Sequence, residues 1–216
     1  QRLDMARKAF CVHAHFYQPP REDPLTGIIP IELGAAPYDN WNERIFQDCY
    51  QPNVKAGNFK SISLNLGPTL VDWMVRTYPA TWKTISQQLH LNNGHQPSNI
   101  IAQPYHHTIL PLASQLDKIT QVRWGIQSYK KYFGRVPEGM WLPETAVDKK
   151  TLEVLADNGI KFTILAPWQA KCSALDSRHP YLVKLSKGKS IVVFFYDKEL
   201  STRVSFDSET TRNADL

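Results

Sequence analysis

Cysteine is scarce: Cys11, Cys49 and Cys172 are the only three in 216 residues, and they lie far apart. There is no Cys-x-x-Cys pair and no even set, which argues against a disulfide framework or a zinc ribbon. Reduced thiols in a cytoplasm are the expectation. No apolar run approaches the ~18 residues of a membrane span, and no apolar leader core stands near Gln1, so neither a membrane nor a secretory route is expected. Met5 reads as a natural start, with residues 1–8 an N-terminal extension and residues 9–216 one domain or most of one. The net charge of +5 is modest and the basic residues are scattered, so nucleic acid is not an expected partner. No Gly-x-Ser-x-Gly elbow marks a serine nucleophile. No glycine-rich turn precedes a helix in a phosphate-binding pattern. Internal repeats and low-complexity segments are absent as well.

What is present is an ample apolar fraction, 42%, and many aromatics: six Trp, nine Tyr and nine Phe. These suit a carbohydrate groove, and equally an ordinary core. Ala9 to His15 reads as a buried strand that ends in polar residues. A long loop rich in Pro and Gly follows, from Gln18 to about Tyr38. Trp41 to Tyr50 fits a helix face. Phe59 to Leu66 alternates apolar and polar residues as a strand does. Pro68 fits an early helix position, with helices expected over Leu70 to Tyr78 and Ala80 to Leu91. Ile100 to Ala102 is a short apolar piece, Asp117 to Phe133 a helix, Met140 to Leu142 a strand end, and Asp148 to Gly159 a helix. Phe162 to Leu165 reads as a strand, and Val183 to Tyr196 as a hairpin turning at Lys187-Gly188-Lys189. Alternating strands and helices with polar residues at strand ends define an α/β plan, with a (β/α) barrel as its leading form.

Three stretches carry chemistry. His13-Ala14-His15 places two imidazoles on one face of a strand, because side chains alternate. The pair is open to three readings: half of a metal site, a donor set for sugar hydroxyls or a nearby carboxylate, or imidazoles satisfied by backbone. A metal would need a third ligand that spacing does not identify. Pro104-Tyr105-His106-His107 offers further imidazoles at another strand end, with His107 the inward candidate and His106 the peripheral one. Gly139-Met140-Trp141-Leu142-Pro143-Glu144 sets one carboxylate where a strand gives way to its loop, the side on which α/β folds build active sites. A Glu at a helix start, favoured by the dipole, is the plainer reading of Glu144.

Together these motifs resemble glycoside hydrolase family 57, whose members act on α-glucans. His13-Ala14-His15-Phe16-Tyr17-Gln18-Pro19 is similar to its first motif. Gln103 to Leu112 is similar to the second, and Gly139 to Glu144 to the third, which holds the nucleophile. Asn65-Leu66-Gly67-Pro68-Thr69-Leu70 resembles a segment that helps build the site. The likeness covers residues 9 to about 200 and is nearest to a branch in which a second conserved domain follows.

It implies an incomplete (β/α) barrel of the seven-stranded type and a retaining hydrolase or glucanotransferase. Glu144 would be the catalytic nucleophile. His13, His15, Gln18, Tyr105, His107 and Trp141 would bind an α-glucan or oligosaccharide, with no metal and no cofactor. The family's fourth motif, with an Asp as general acid/base, has no counterpart before Leu216. The acid is therefore expected outside this chain, and the fragment alone is expected to be inactive. Asp197 is a weaker in-chain candidate. The rival readings are a metal-dependent hydrolase of the polysaccharide deacetylase kind and a non-catalytic glucan-binding module.

Overall fold

The computed structural model describes residues 9–89, 98–172 and 174–212. The expected extension over residues 1–8, with its start at Met5, and the end of the helix expected to reach Leu91 lie outside them. The chain divides into two compact units, one ending at Ile101 and the other beginning at Ala102.

The first unit is built on three parallel strands in the order β1 (His13–Phe16), β2 (Ser63–Leu66) and β3 (Ile100–Ile101). His13 lies opposite Ser63, His15 opposite Asn65, and Leu64 opposite Ile100. Parallel neighbours require crossovers, and these supply the unit's helices. Between β1 and β2, α1 (Trp41–Ile45) runs through a π-helical turn, Phe46–Tyr50, into α2 (Gln51–Ala56). The Asn40 side chain caps α1 by accepting from Glu43 N, and Gly57, at φ 75°, ends α2 in the left-handed conformation. Between β2 and β3 come α3 (Pro68–Thr77) and α4 (Pro79–Gln88), each opened by a proline whose missing N–H costs nothing there. Phe46, Phe59, Leu64, Leu70, Met74 and Ile85 fill the core. The Phe46 and Tyr78 rings stack at 3.7 Å.

The long loop after β1 is pinned from within. Arg21 donates to Glu32 Oε1 at 2.6 Å, to Asn42 Oδ1 at 3.0 Å and to Gln18 Oε1 at 3.2 Å. The other oxygen of Glu32 accepts from Trp41 N at 2.9 Å, so one ion pair fixes both the loop and the start of α1.

The second unit holds β4 (Phe162–Leu165), β5 (Tyr181–Lys184) and β6 (Ser190–Phe195), with β6 in the middle, parallel to β4 and antiparallel to β5. Two single parallel bridges, Ala102 to Met140 and Gly139 to Phe162, extend the pairing beyond β4. The crossovers are α5 (Gln115–Phe133), capped by Ser114, and α6 (Lys149–Asp157), capped by Asp148. Lys118 is buried in α5 and reaches Asp148 Oδ2 at 3.3 Å, which fastens the start of α6.

Two expectations change, and two helices appear where none was expected. Residues 9–12 are exposed and outside β1, and Phe10 is not part of the core. Phe59 lies in a 3-10 turn, Asn58–Lys60, so β2 starts only at Ser63. Two helices, α7 (Lys198–Phe206) and α8 (Ser208–Arg212), follow β6; they bury no residue, so no apolar periodicity announces them.

Gly125 on α5 lies where a Cβ would come within 2.0 Å of the Gln103 carbonyl oxygen. Backbone packs on backbone here, and it sets the helix against the segment that leads to Tyr105, His106 and His107. Gly125→Ala is expected to destabilise the protein by roughly 1–3 kcal/mol or more, measured by urea unfolding.

Candidate active site

In the second unit polar residues gather where parallel strands end; in the first they lie along the strands, with His13 and Ser63 opening β1 and β2 rather than closing them as expected. In the first, one hydrogen-bonded chain crosses from β2 to β1. Ser63 Oγ lies 2.9 Å from His13 Nδ1, His13 Nε2 lies 3.2 Å from Asn65 Oδ1, and Asn65 Nδ2 lies 2.9 Å from His15 Nδ1. One set of protons satisfies all three contacts. The serine hydroxyl donates to His13, His13 donates to the Asn65 carbonyl, and the Asn65 amide donates to His15. His13 then carries its proton on Nε2, while His15 Nδ1 lies close to both ends of the Asn65 amide, 3.2 Å from its Oδ1. Asn65 is fully buried, and burial pushes His13 down to about 4. His13 is therefore neutral near pH 7. Both ring nitrogens of His13 are taken up by neutral partners, an arrangement suited to orienting hydroxyls.

Gln18 belongs to the loop network beside this cluster. Its amide donates to Tyr50 Oη at 3.3 Å and its backbone carbonyl accepts from Thr69 Oγ1 at 2.6 Å.

In the second unit the loop after Met140 carries Glu144. Trp141 N donates to the Ala102 carbonyl at 2.8 Å, and the chain then turns through Pro143–Thr145. Glu144 has φ 55° and ψ 19°, and Thr145 has φ 51°. Two successive non-glycine residues in the left-handed region, one of them β-branched, cost about 1–3 kcal/mol each. Strain of this kind persists only where the surroundings enforce it.

The turn leaves the Glu144 side chain 71% exposed, while His107 beside it is 15% exposed. His107 Nδ1 lies 3.8 Å from Glu144 Oε1. Burial lowers the His107 pKa and the Glu144 charge partly offsets this, so the imidazole is neutral at pH 7. His106 is held elsewhere: its N–H donates to Gln121 Oε1 at 2.8 Å and its ring meets the Gln121 amide at 3.2 Å. Tyr105 packs edge-on against His106 and against Trp124 of α5.

Several residues at this edge carried no expectation. Gln169, at the end of the 3-10 turn Pro167–Gln169 after β4, bonds the Ala166 N–H and the Thr145 carbonyl. Trp168 is exposed and meets Tyr196, the residue after β6, at a ring distance of 5.8 Å. Their polar and aromatic character at strand ends was the available signal; the left-handed turn had none, because neither Glu nor Thr favours it. Asp197 caps α7 by accepting from Leu200 N at 2.9 Å. Among the described residues no three His, Cys, Asp or Glu side chains group as metal ligands would, and no helix is long and apolar enough to cross a membrane.

A family model described as glycosyl hydrolase family 57 matches residues 27–215, and the chain belongs to that family. Alpha-amylase 1 of Dictyoglomus thermophilum is 22% identical over 127 residues, which are 57% of this chain and 18% of that protein. The 4-alpha-glucanotransferase of Thermococcus litoralis superposes with a TM-score of 0.72 at 18% identity, over 97% of this chain and 31% of its own. An exo-type maltose-forming amylase of Pyrococcus sp. ST04 gives 0.71 at 17%, over 92% and 36%. The chain thus spans about a third of these two solved chains. At these identities the likeness fixes the fold: this is part of the family's (β/α) barrel.

The His13 shift has a measurable consequence. The folded pKa of about 4 lies below the ordinary 6.5, so below pH 6.5 the unfolded chain takes up a proton that the folded one refuses. The contribution of His13 is fully present above pH 6.5 and is lost as pH falls towards 4. Between pH 7 and 4.5 this is expected to cost roughly 2–3 kcal/mol in urea unfolding, and His13→Gln is expected to flatten that slope.

Proposed function

We propose that this chain is the nucleophile-bearing part of a retaining glycoside hydrolase or glucanotransferase acting on α-glucans, with Glu144 as nucleophile. The observation that carries this reading is the strained turn that presents an exposed carboxylate at a strand end, beside a neutral His107. Family membership and the amylase and glucanotransferase relatives support the substrate class.

In the reaction so assigned, Glu144 attacks the anomeric carbon as the glycosidic bond breaks, giving a covalent glycosyl-enzyme. A second carboxyl group, about 5–5.5 Å away, protonates the leaving oxygen and then takes a proton from water or an acceptor sugar. That group is assigned to the remainder of a longer protein, ahead of Asp197, whose Oδ1 accepts from Leu200 N as the cap of α7. The chain alone is accordingly assigned little or no turnover.

His107 stays neutral beside the nucleophile, so it can bond a sugar hydroxyl or Glu144 without cancelling the charge that attacks. His13 and His15, tied through Asn65, are assigned to substrate hydroxyls in the same way, with Gln18 fixing the loop beside them. Trp141 and Tyr105 remain the candidates for sugar-ring contacts, and exposed Trp168, edge-on to half-buried Tyr196, is a further aromatic candidate.

The test uses the full-length protein. Glu144→Ala is expected to lower kcat on maltooligosaccharide by roughly three or more orders of magnitude. Added azide is expected to restore glycosyl transfer and to yield a glycosyl azide of inverted configuration relative to the usual product. Wild-type kcat in that variant would rule Glu144 out as nucleophile.

A further inference from the structure

We infer that Gln169 is a positioning residue for Glu144: its side-chain amide clips the loop after β4 to the left-handed turn, and so holds the carboxylate in a backbone conformation its own sequence resists. The inference rests on the reading of Glu144 as nucleophile.

The turn does not select this conformation by itself. Thr145 N donates to the Leu142 carbonyl at 2.9 Å and Ala146 N to the Pro143 carbonyl at 3.0 Å. Those are the bonds of any 3-10 turn, and a right-handed one would make them equally well. With φ 55° at Glu144 and 51° at Thr145, the side chains oppose the arrangement. Whatever enforces it must come from outside the turn. The Glu144 carboxylate is largely exposed and meets His107 at 3.8 Å, beyond hydrogen-bond length, so backbone geometry decides where it points.

Gln169 supplies the outside restraint. The Ala166 N–H can only donate, and it takes the amide oxygen of Gln169 at 2.8 Å. That fixes which way the amide faces and leaves its nitrogen to donate to the Thr145 carbonyl, the contact observed. Pro167 stiffens the intervening turn, and Thr145 is buried, so the clip joins two restrained backbones. Gln169 touches no substrate in this scheme; it acts through the peptide unit that follows Glu144.

The test again uses the full-length protein, with two variants. Gln169→Leu keeps the bulk and loses both hydrogen bonds. Gln169→Glu keeps the acceptor for Ala166 N and loses the donor to Thr145. Three quantities are read: kcat and KM on maltooligosaccharide, the rate of covalent labelling by 5-fluoro-α-D-glucosyl fluoride with the labelled peptide mapped by mass, and folded fraction by circular dichroism. Both variants are expected to lose about 10–100-fold in kcat and in labelling rate per folded molecule, with KM little changed.

Wild-type labelling rates in both variants, or losses that only follow the folded fraction, would overturn the positioning role. If the wild type itself labels at a residue other than Glu144, the nucleophile assignment fails, and this inference falls with it. Labelling at Glu144 in the wild type with full labelling in the variants removes the role of Gln169 alone.

Discussion

Parallel strand pairing is the constraint on which the rest of this structure depends. A parallel neighbour cannot be reached by a tight turn, so each strand must be followed by a crossover, and the carboxyl ends of the strands in a unit face one edge. In the first unit this sets His13 and His15 against Ser63 and Asn65 through a register of single residues. In the second it brings the loops after Met140, β4 and β6 together, so that Glu144, Gln169 and Tyr196 share an edge despite their separation in sequence. Strand β5, antiparallel to β6, lies outside it and leaves that edge undisturbed.

The two clusters share an electrostatic design. His13 and His107 are both lowered by burial, His13 strongly and His107 against the pull of Glu144. Neutral imidazoles can donate and accept hydrogen bonds without adding positive charge. A cation beside Glu144 would stabilise its anionic form and weaken it as a nucleophile; a neutral ring does not. Sugar recognition by hydroxyl bonding works through the same neutral groups.

Much of this was legible in the sequence, for physical reasons that differ by element. Phe162–Leu165 is a strand over the range its apolar run marks, and Asp148 caps α6 where its position before the amphipathic segment says it should. His13 and His15 on one face follow from strand alternation alone. Residues 9–12 look equally apolar, but β2 begins at Ser63, whose N–H takes the Val12 carbonyl at 2.9 Å, and the ladder stops there. Phe59 is apolar enough for a strand, yet it follows the left-handed Gly57 and enters the core from a 3-10 turn. The left-handed conformation of Glu144 and Thr145 could not be read, because local preference points the other way; a contact from Gln169, 24 positions after Thr145 in sequence, goes with it. Where local preference and tertiary contact conflict, strain is expected at a functional site.

The most direct measurement is a crystal structure of the full-length protein with a bound maltooligosaccharide, read for the distance from the Glu144 carboxylate to the nearest Asp or Glu carboxyl group across the scissile bond. A retaining site built on Glu144 should show a partner at about 5–5.5 Å, contributed by residues beyond those described here. A partner at about 6.5–9.5 Å, the spacing that admits a water molecule for inversion, or a sugar bound with no second carboxyl group at that bond, would contradict it.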